Sequence, residues 1–503
     1  MPDISSRFRE RRCTPGADYL PMPHVAERSV SFARPDAVTE SVEGFEPRAR
    51  SATGLLKFVF VVAAVLFLIL LCLDLRRNHG NTFSVFYFAA KTMSAGGDIY
   101  RSHADGSDRC EYVYPPLFAA LVIPLTHFKV ITATRIWTFV DAALTVLALT
   151  LGSMEACRRF QIRATKGTVA AIAAGAMLLG IGEIKTELAT SQTDTLVLIC
   201  FVLALVWLDE WPVLCGLALG FSCNIKYQTL IALPYLLLTR RWKAAASTAI
   251  SSAGFALLPG LVVGFGRNVQ YLGSAVGGLG HFASIDTQGA ASTVSLTWIR
   301  SVSITSAIGR LLDSYGIRSS HAFLWAPLVA LVCLALACQL YRNYGITMAP
   351  TGAAIKRGLN RLEGLVALEW IGLMVVWLVF GPEVSRRHMY VLLLMDVIAV
   401  TLLFACRGRQ RYVLIAGLVV CQAGLRMPSD FGAWTNAFNW AGGASWSLLV
   451  FYAALLSAGF AWVRNPAGEP MLKPALAVGR GGGRGVLRVR GIEIPPGLAA
   501  SLE

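Results

Sequence analysis

The chain has 503 residues, of which 55% are hydrophobic and only 15% are charged. A soluble domain carries about 25% charged residues, and it could not bury this much apolar surface. The composition therefore excludes a soluble protein and indicates one that crosses a membrane several times. The formal net charge of +15 lies mostly in short basic clusters beside apolar segments, which is the pattern of cytoplasmic loops. No nucleic-acid-binding signature accompanies these clusters, so we expect no nucleic-acid partner.

Three parts of the chain differ in composition. Residues 1–54 are polar, rich in Arg and Pro, and lack the apolar core of a signal peptide, so we expect a disordered cytoplasmic tail. Residues 55–463 hold the apolar segments and are predicted to form one transmembrane domain in contact with membrane lipid. Residues 464–503 are rich in Gly and Arg and are predicted to form a second cytoplasmic tail.

Apolar stretches of about 20 residues, the length that spans a bilayer, recur through the transmembrane domain. A longer apolar region, 212–239, is interrupted by Asn224 and Lys226, and we interpret it as a hairpin of two short helices with Lys226 near the turn. Together these segments predict an all-α polytopic membrane protein with about twelve transmembrane helices. The single spans are predicted at 55–75, 132–155, 168–184, 193–209, 244–264, 321–341, 364–381, 388–406, 412–427 and 444–463.

The short apolar segment 116–128 decides the predicted sidedness. If it spanned the membrane, the basic cluster at 158–166 would lie outside. As an interfacial or re-entrant piece, it places that cluster inside together with the basic cluster at 240–243, which the positive-inside rule favours. Both termini are then cytoplasmic, and two large loops, 76–131 and 265–320, lie on the outer side of an inner or plasma membrane. We expect the functional site on this extracytoplasmic side.

The first large loop is predicted to fold on the membrane surface, because charges, Gly pairs and Pro115–Pro116 prevent it from spanning a bilayer. It contributes the carboxylate of Asp98, which could accept a proton. It also contributes aromatic side chains, among them Tyr87 and Tyr114, which could line a ligand site. Tyr and Trp also collect at membrane interfaces without any ligand, and that reading stays open.

Two ionisable residues lie in unusual sequence surroundings. Lys226 is embedded in apolar sequence, where a charge is costly and usually functional, although a lysine in a short hairpin can also extend to the interface. His388 follows Arg386 and Arg387 at the start of an apolar helix. Two neighbouring cations disfavour protonation, so we expect a neutral His388 that exchanges one hydrogen bond. The alternative is an interfacial histidine with no ligand.

Gln192 and Asp194 begin another apolar helix, in SQTDTLVLICFVLAL. Both are predicted to contact a substrate. The alternative for Asp194 is a purely local role, because the positive end of the helix dipole favours a carboxylate in the first turn.

Five sequence elements, in this order, resemble glycosyltransferase family 87, the polyprenyl-phosphate-mannose-dependent mannosyltransferases. They are an aromatic element, a Tyr-Pro-Pro element, a Gln-containing helix start, a Lys-containing hairpin and a late His-Tyr element. Their sequences are FSVFYFAAKTMSAGGDIY, VYPPLFAALVIPL, SQTDTLVLICFVLAL, GLALGFSCNIKYQTLIALPYLLLTRRWKAA and GPEVSRRHMYVLLL. The resemblance covers roughly residues 55–463.

The resemblance implies a GT-C-like fold and the transfer of a hexose, mannose, from a polyprenyl phosphate to a glycolipid or polysaccharide acceptor of the cell envelope. The transfer would invert the anomeric centre. The lipid-linked sugar donor is the substrate, and we expect no cofactor. No cluster of carboxylates in the sequence demands a metal, so we predict none. The residues predicted to bind substrate are Lys226, His388, Gln192, Asp194, Arg386, Arg387, Tyr87 and Tyr114.

One position departs from the family pattern. The family commonly has an Asp three residues before the Val of the aromatic element, and this chain has Thr82 there, which cannot act as a carboxylate base. We therefore take Asp98 as the candidate catalytic residue, with Asp105 and Asp108 as alternatives. A non-catalytic relative of the family is a second hypothesis. A third is a transporter or flippase that uses Lys226 and Asp396 as a coupling pair.

Overall fold

The computed structural model describes residues 46–76, 82–101, 112–280, 295–346, 348–351, 362–382, 384–427, 432–464, 487–489 and 492–494. These residues form α-helices joined by turns and short 3-10 helices, together with one small hairpin. The α-helices are α1 (Glu46–Arg76), α2 (Phe83–Ser94), α3 (Pro116–Val122), α4 (Val130–Arg159), α5 (Lys166–Leu179), α6 (Ile181–Thr190), α7 (Asp194–Trp207), α8 (Pro212–Cys223), α9 (Ala232–Leu238), α10 (Trp242–Leu257), α11 (Gly260–Val263), α12 (Phe265–Gly280), α13 (Ile304–Ser314), α14 (Ala322–Asn343), α15 (Leu362–Phe380), α16 (Leu393–Ala405), α17 (Arg409–Leu425), α18 (Ala433–Trp440) and α19 (Gly443–Arg464).

The remaining elements are short. The 3-10 helices are Ile99–Arg101, Ile123–His127, Tyr227–Ile231, Ser319–His321 and Arg386–Leu392. The hairpin pairs β1 (Leu487–Val489) with β2 (Ile492–Ile494) in antiparallel orientation, with Leu487 opposite Ile494. The predicted N-terminal tail lies outside the described residues up to residue 45, so its disorder stays a prediction.

The predicted fold class, an all-α polytopic membrane protein, is confirmed. Among the described residues, seven helices are long and apolar enough to cross a membrane, or eight if α5 and α6 count as one span bent by 72°. The predicted number of about twelve is not confirmed. The predicted span 193–209 corresponds to α7, which has 14 residues and is therefore about 21 Å long. That length is shorter than a hydrocarbon core of about 30 Å.

The helix break predicted within 212–239 is confirmed, and the side-chain amide of Asn224 stabilises it. Helix α8 ends at Cys223, and the Asn224 amide then donates hydrogen bonds of 2.9 Å to the carbonyl oxygens of Gly220 and Ser252. Lys226 follows with an extended backbone, before the 3-10 helix at 227–231 and α9. Since Ser252 belongs to α10, Asn224 fixes the break, and with it Lys226, against a neighbouring helix.

Helices α8 and α10 approach each other closely because glycine leaves room for the facing backbone. A Cβ atom at Gly220 would lie 2.7 Å from the backbone nitrogen of Ser252, and one at Gly216 would lie 2.6 Å from that of Thr248. Backbone atoms cannot move aside as a flexible side chain can. The close contact of α8 and α10 therefore depends on both glycines.

The Gly220→Ala variant is expected to lose about 1–3 kcal/mol of the free energy of unfolding, the usual cost of overpacking a tight interface. Thermal unfolding of the detergent-purified protein measures this loss. Gly254→Ala in α10 is the matched control, because its Cβ would meet no atom within 4 Å. Equal melting temperatures for the two variants would contradict the close packing.

The first large loop folds as predicted. Pro116 begins α3 at a position where its missing N–H is not needed. The ring of Phe86 on α2 contacts Tyr112, Tyr114 and Phe118 edge-on or tilted, with ring centroids 4.9–6.2 Å apart. These contacts hold α2, the Tyr112–Tyr114 segment and α3 together as one aromatic core beside the helix bundle.

An ion-pair network joins α4 to the α7–α8 turn and to the start of α10. The fully buried Arg159 guanidinium bonds Glu155 at 2.5 Å and Asp209 at 2.9 Å, and Arg241 bonds Asp209 at 2.6 Å. Burial alone would raise the pKa of Asp209, but the two guanidinium groups lower it below its usual value. The basic clusters predicted to share one side of the membrane thus meet at one end of the bundle.

Candidate functional site

The turn between α6 and α7 places Asp194 at the start of a buried helix. Glu187 on α6 is 1% exposed, and its Oε1 accepts hydrogen bonds from the backbone N–H groups of Asp194 at 3.0 Å and Thr195 at 3.3 Å. It supplies the cap that the first N–H groups of a helix need. Ser191 adopts a left-handed backbone, with φ of 48°, and lets the chain reverse between the two helices.

Three residues predicted as site residues from the sequence meet in one cluster. The Nζ of Lys226 lies 2.7 Å from Oδ1 of Asp194, and Nδ1 of His388 lies 3.4 Å from Oδ2 of the same carboxylate. Lys226 Nζ and His388 Nδ1 are 3.5 Å apart. The Asp194 side chain is fully buried, and the side chains of Lys226 and His388 are 6% and 14% exposed. The remaining exposure leaves His388 the most accessible member of the cluster.

The aromatic core of the first loop lies against this cluster. The Tyr114 ring faces Lys226, with Nζ 5.5 Å from the ring centroid, a distance typical of a cation–π contact. On the other side, the Tyr390 hydroxyl bonds Thr145 Oγ1 at 2.5 Å. Tyr390 and His388 share the 3-10 helix Arg386–Leu392, so this bond ties the element that carries His388 to α4.

Two further carboxylates belong to the same environment. Asp141 on α4 is fully buried and lies close enough to Asp194 and Lys226 for direct electrostatic interaction. Glu187 interacts with the same two residues. The sequence analysis selected neither Asp141 nor Glu187 as a site residue. A carboxylate inside a predicted span was the signal that could have identified Asp141.

Arg386 and Arg387 line a cavity of about 960 Å³ beside the cluster. The Arg386 guanidinium donates to the carbonyl of Met427 and to Oδ1 of Asn439 at 2.8 Å. Both acceptors are neutral. Since His388 directly follows Arg387 on the same 3-10 helix, one element contributes to both the cavity and the buried cluster.

The other predicted site residues lie elsewhere. Asp98 is 45% exposed, and its Oδ2 lies 3.6 Å from Nε of Arg101. Its Oδ1 accepts a hydrogen bond from the backbone N–H of Tyr100. Both contacts are local, and neither involves the buried cluster. Tyr87 is buried and donates through its hydroxyl to the Phe128 carbonyl at 2.9 Å, a contact that holds α2 in place. Gln192 is fully buried, and its amide atoms have no hydrogen-bond partner among the described residues.

Residues that sequence reasoning offered as alternatives are placed differently. Thr82 precedes α2 without a side-chain cap bond, and Asp105 and Asp108 lie outside the described residues. Asp396 lies with Glu183 and Gln422 around a separate small cavity of about 10 Å³. Lys226 pairs with Asp194 instead, so the coupling pair proposed for a transporter does not form in this structure.

Within the described parts of the chain, no group of three or more His, Cys, Asp or Glu side chains is arranged to hold a metal ion. The absence of a metal and of a cofactor stays a prediction. The chemistry that the cluster can offer by its own residues is a buried cation, a carboxylate and an imidazole within 3.5 Å of one another.

The fold and the buried cluster together define a class: a multi-pass membrane protein with a charged site where a folded loop meets the helix bundle. Residues 112–359 match the model of glycosyltransferase family 87. The resemblance found in the sequence motifs is confirmed over this segment, which is just under half of the chain and contains Tyr114, Gln192, Asp194 and Lys226. The match supports a membrane glycosyltransferase of that type.

Comparison with solved structures adds a distant likeness. The crystal structure of ArnT from Cupriavidus metallidurans bound to undecaprenyl phosphate is 14% identical, with a TM-score of 0.40, and the match covers 82% of this chain and 77% of that one. No curated protein matches the chain.

Proposed function

We propose that the protein transfers a hexose, mannose in the first instance, from a polyprenyl-phosphate sugar to a glycolipid or polysaccharide acceptor of the cell envelope, on the extracytoplasmic side of the membrane. The observation that carries the proposal is the Lys226–Asp194–His388 cluster, which lies against the folded first loop of a family-87 chain. A GT-C-like arrangement of the helices is part of the same proposal.

Each member of the cluster has a role in this reaction. The acceptor hydroxyl attacks the anomeric carbon, the bond from that carbon to the phosphate oxygen breaks, and the polyprenyl phosphate leaves with the bonding electrons. The Lys226 ammonium stabilises the negative charge that develops on the departing phosphate. Direct displacement of this kind inverts the anomeric centre.

The acceptor proton needs a base, and His388 is better placed for this role than Asp98. With the Nδ1–H of His388 donated to Asp194, Nε2 carries a free lone pair that can take the proton. A carboxylate that orients an imidazole in this way is a recurrent catalytic arrangement. Asp98, the base predicted from the sequence, remains the competing assignment because the first loop could approach a bound acceptor.

The experiment uses full-length protein reconstituted in lipid nanodiscs with radiolabelled polyprenyl-phosphate-mannose. Release of labelled mannose, to water or to lipid extracted from envelope membranes, is the expected result. Movement of the intact donor across sealed proteoliposomes without cleavage would instead identify a flippase. Binding of the donor without cleavage or movement would identify a non-catalytic relative, as Thr82 suggests.

A further inference from the structure

The cavity that Arg386 and Arg387 line is positively charged. Arg300 is a third arginine in its wall, and none of the described residues in that wall is Asp or Glu. Arg387 Nε and Ser385 Oγ are buried and have no hydrogen-bond partner among the described residues, and Ser385 is only 7% exposed. Three arginines in a wall without a described carboxylate indicate a ligand that carries negative charge.

A fourth arginine bonds the backbone of the cavity wall and forms no ion pair with any described residue. Arg310 on α13 is 5% exposed, and its guanidinium donates to the carbonyl oxygens of Trp298, Ser301 and Trp440 at 2.6–3.2 Å. Burial lowers the pKa of Arg310 to about 10, so it remains protonated at neutral pH. Its charge, which carbonyl dipoles balance among the described residues, adds to the positive potential of the cavity.

Arg310 also positions the apolar part of the wall. Trp298 and Trp440, whose carbonyls it binds, both line the cavity, as do the amide side chains of Asn436 and Asn439. Aromatic faces suit the apolar faces of sugar rings, and amides can pair with sugar hydroxyls. A volume of about 960 Å³ is at the upper end of the range for small-ligand sites, large enough for several sugar rings.

We propose that this cavity binds the acceptor of the transfer reaction, and that the acceptor is an acidic glycan, with a phosphate or carboxylate on its sugar chain. The inference rests on the proposed function, because it assigns the cavity to the acceptor of that reaction. A donor phosphodiester carries a single negative charge, whereas three arginines line this cavity and a fourth, Arg310, bonds the backbone of its wall. Arg387 lines the cavity and directly precedes His388 on the same 3-10 helix, so an acceptor bound there would lie near the proposed base.

The test measures binding to the full-length protein in nanodiscs, which needs no turnover. The probes are trigalacturonate, a trisaccharide with three carboxylates, maltotriose, a neutral trisaccharide, and polyprenyl phosphate, which represents the donor. We expect trigalacturonate to bind at least tenfold more tightly, with affinity that falls as salt is added. Arg300→Gln, an exposed position on the cavity wall, should weaken trigalacturonate about three- to tenfold and leave maltotriose unchanged. Arg318→Gln, exposed and outside the wall, is the control and should change neither.

Two results would overturn the inference. One is equal affinity for the acidic and the neutral trisaccharide. The other is an Arg300→Gln effect on polyprenyl phosphate alone, which would assign the cavity to the donor. If the wild-type protein transfers no sugar but still binds trigalacturonate selectively, the proposed function is rejected and the acidic-glycan site is kept. Failure of the proposed function can therefore be distinguished from failure of this inference.

Discussion

Replacing Lys226 with methionine is expected to lower sugar transfer about 10²- to 10³-fold, the usual effect of removing one group that stabilises charge in a transition state. Methionine keeps the length and apolar character of the stem but cannot hold the departing phosphate. Turnover of labelled polyprenyl-phosphate-mannose measures the loss. Lys243→Met, at an exposed position on α10, is the matched control and should keep the wild-type rate.

The same substitution has a second effect that must be separated from the first. Without Lys226, the carboxylate of Asp194 is left buried and loses its 2.7 Å partner, which typically costs about 3–5 kcal/mol of stability. The double variant Lys226→Met with Asp194→Asn removes both charges and should recover most of the thermal stability but not the activity. Full activity in either variant would remove Lys226 from the reaction.

His388→Gln is expected to lower turnover about 10²- to 10⁴-fold, the range for loss of a general base, while Asp98→Asn stays within about twofold of wild type. Glutamine can replace the hydrogen bond to Asp194 but cannot take a proton. The rate of transfer as a function of pH provides an independent measurement. The wild type should lose activity as His388 is protonated at acid pH, and the His388→Gln variant should lose this dependence.

The opposite pattern would support the base predicted from the sequence. If Asp98→Asn abolishes transfer and His388→Gln does not, the first loop supplies the base, and His388 has a positioning role. Asp105→Asn and Asp108→Asn complete the series, because both residues lie on the same loop. A full rate in all three loop variants would show that none of these carboxylates is the base.

Features that depend on local sequence were predicted correctly. Low charge content and repeated apolar stretches identify a polytopic membrane protein, and Asn224 with Lys226 identifies the break in 212–239, because polar groups interrupt a helix in apolar surroundings. The number of spans could not be obtained this way. Whether a 14-residue helix such as α7 crosses a membrane or is buried in the bundle depends on its neighbours and not on its own composition.

The sequence by itself determined the class of protein, the folded first loop and the resemblance to family 87, because each depends on hydrophobicity, turn residues or short motifs. Only the tertiary structure decided which polar groups meet. Lys226 is 32 residues from Asp194 along the chain, and His388 is 194 residues from it. Asp141 is buried within an apolar helix. The physical reason is that a buried charge needs a partner, and helix packing, which no local pattern encodes, brings that partner into reach.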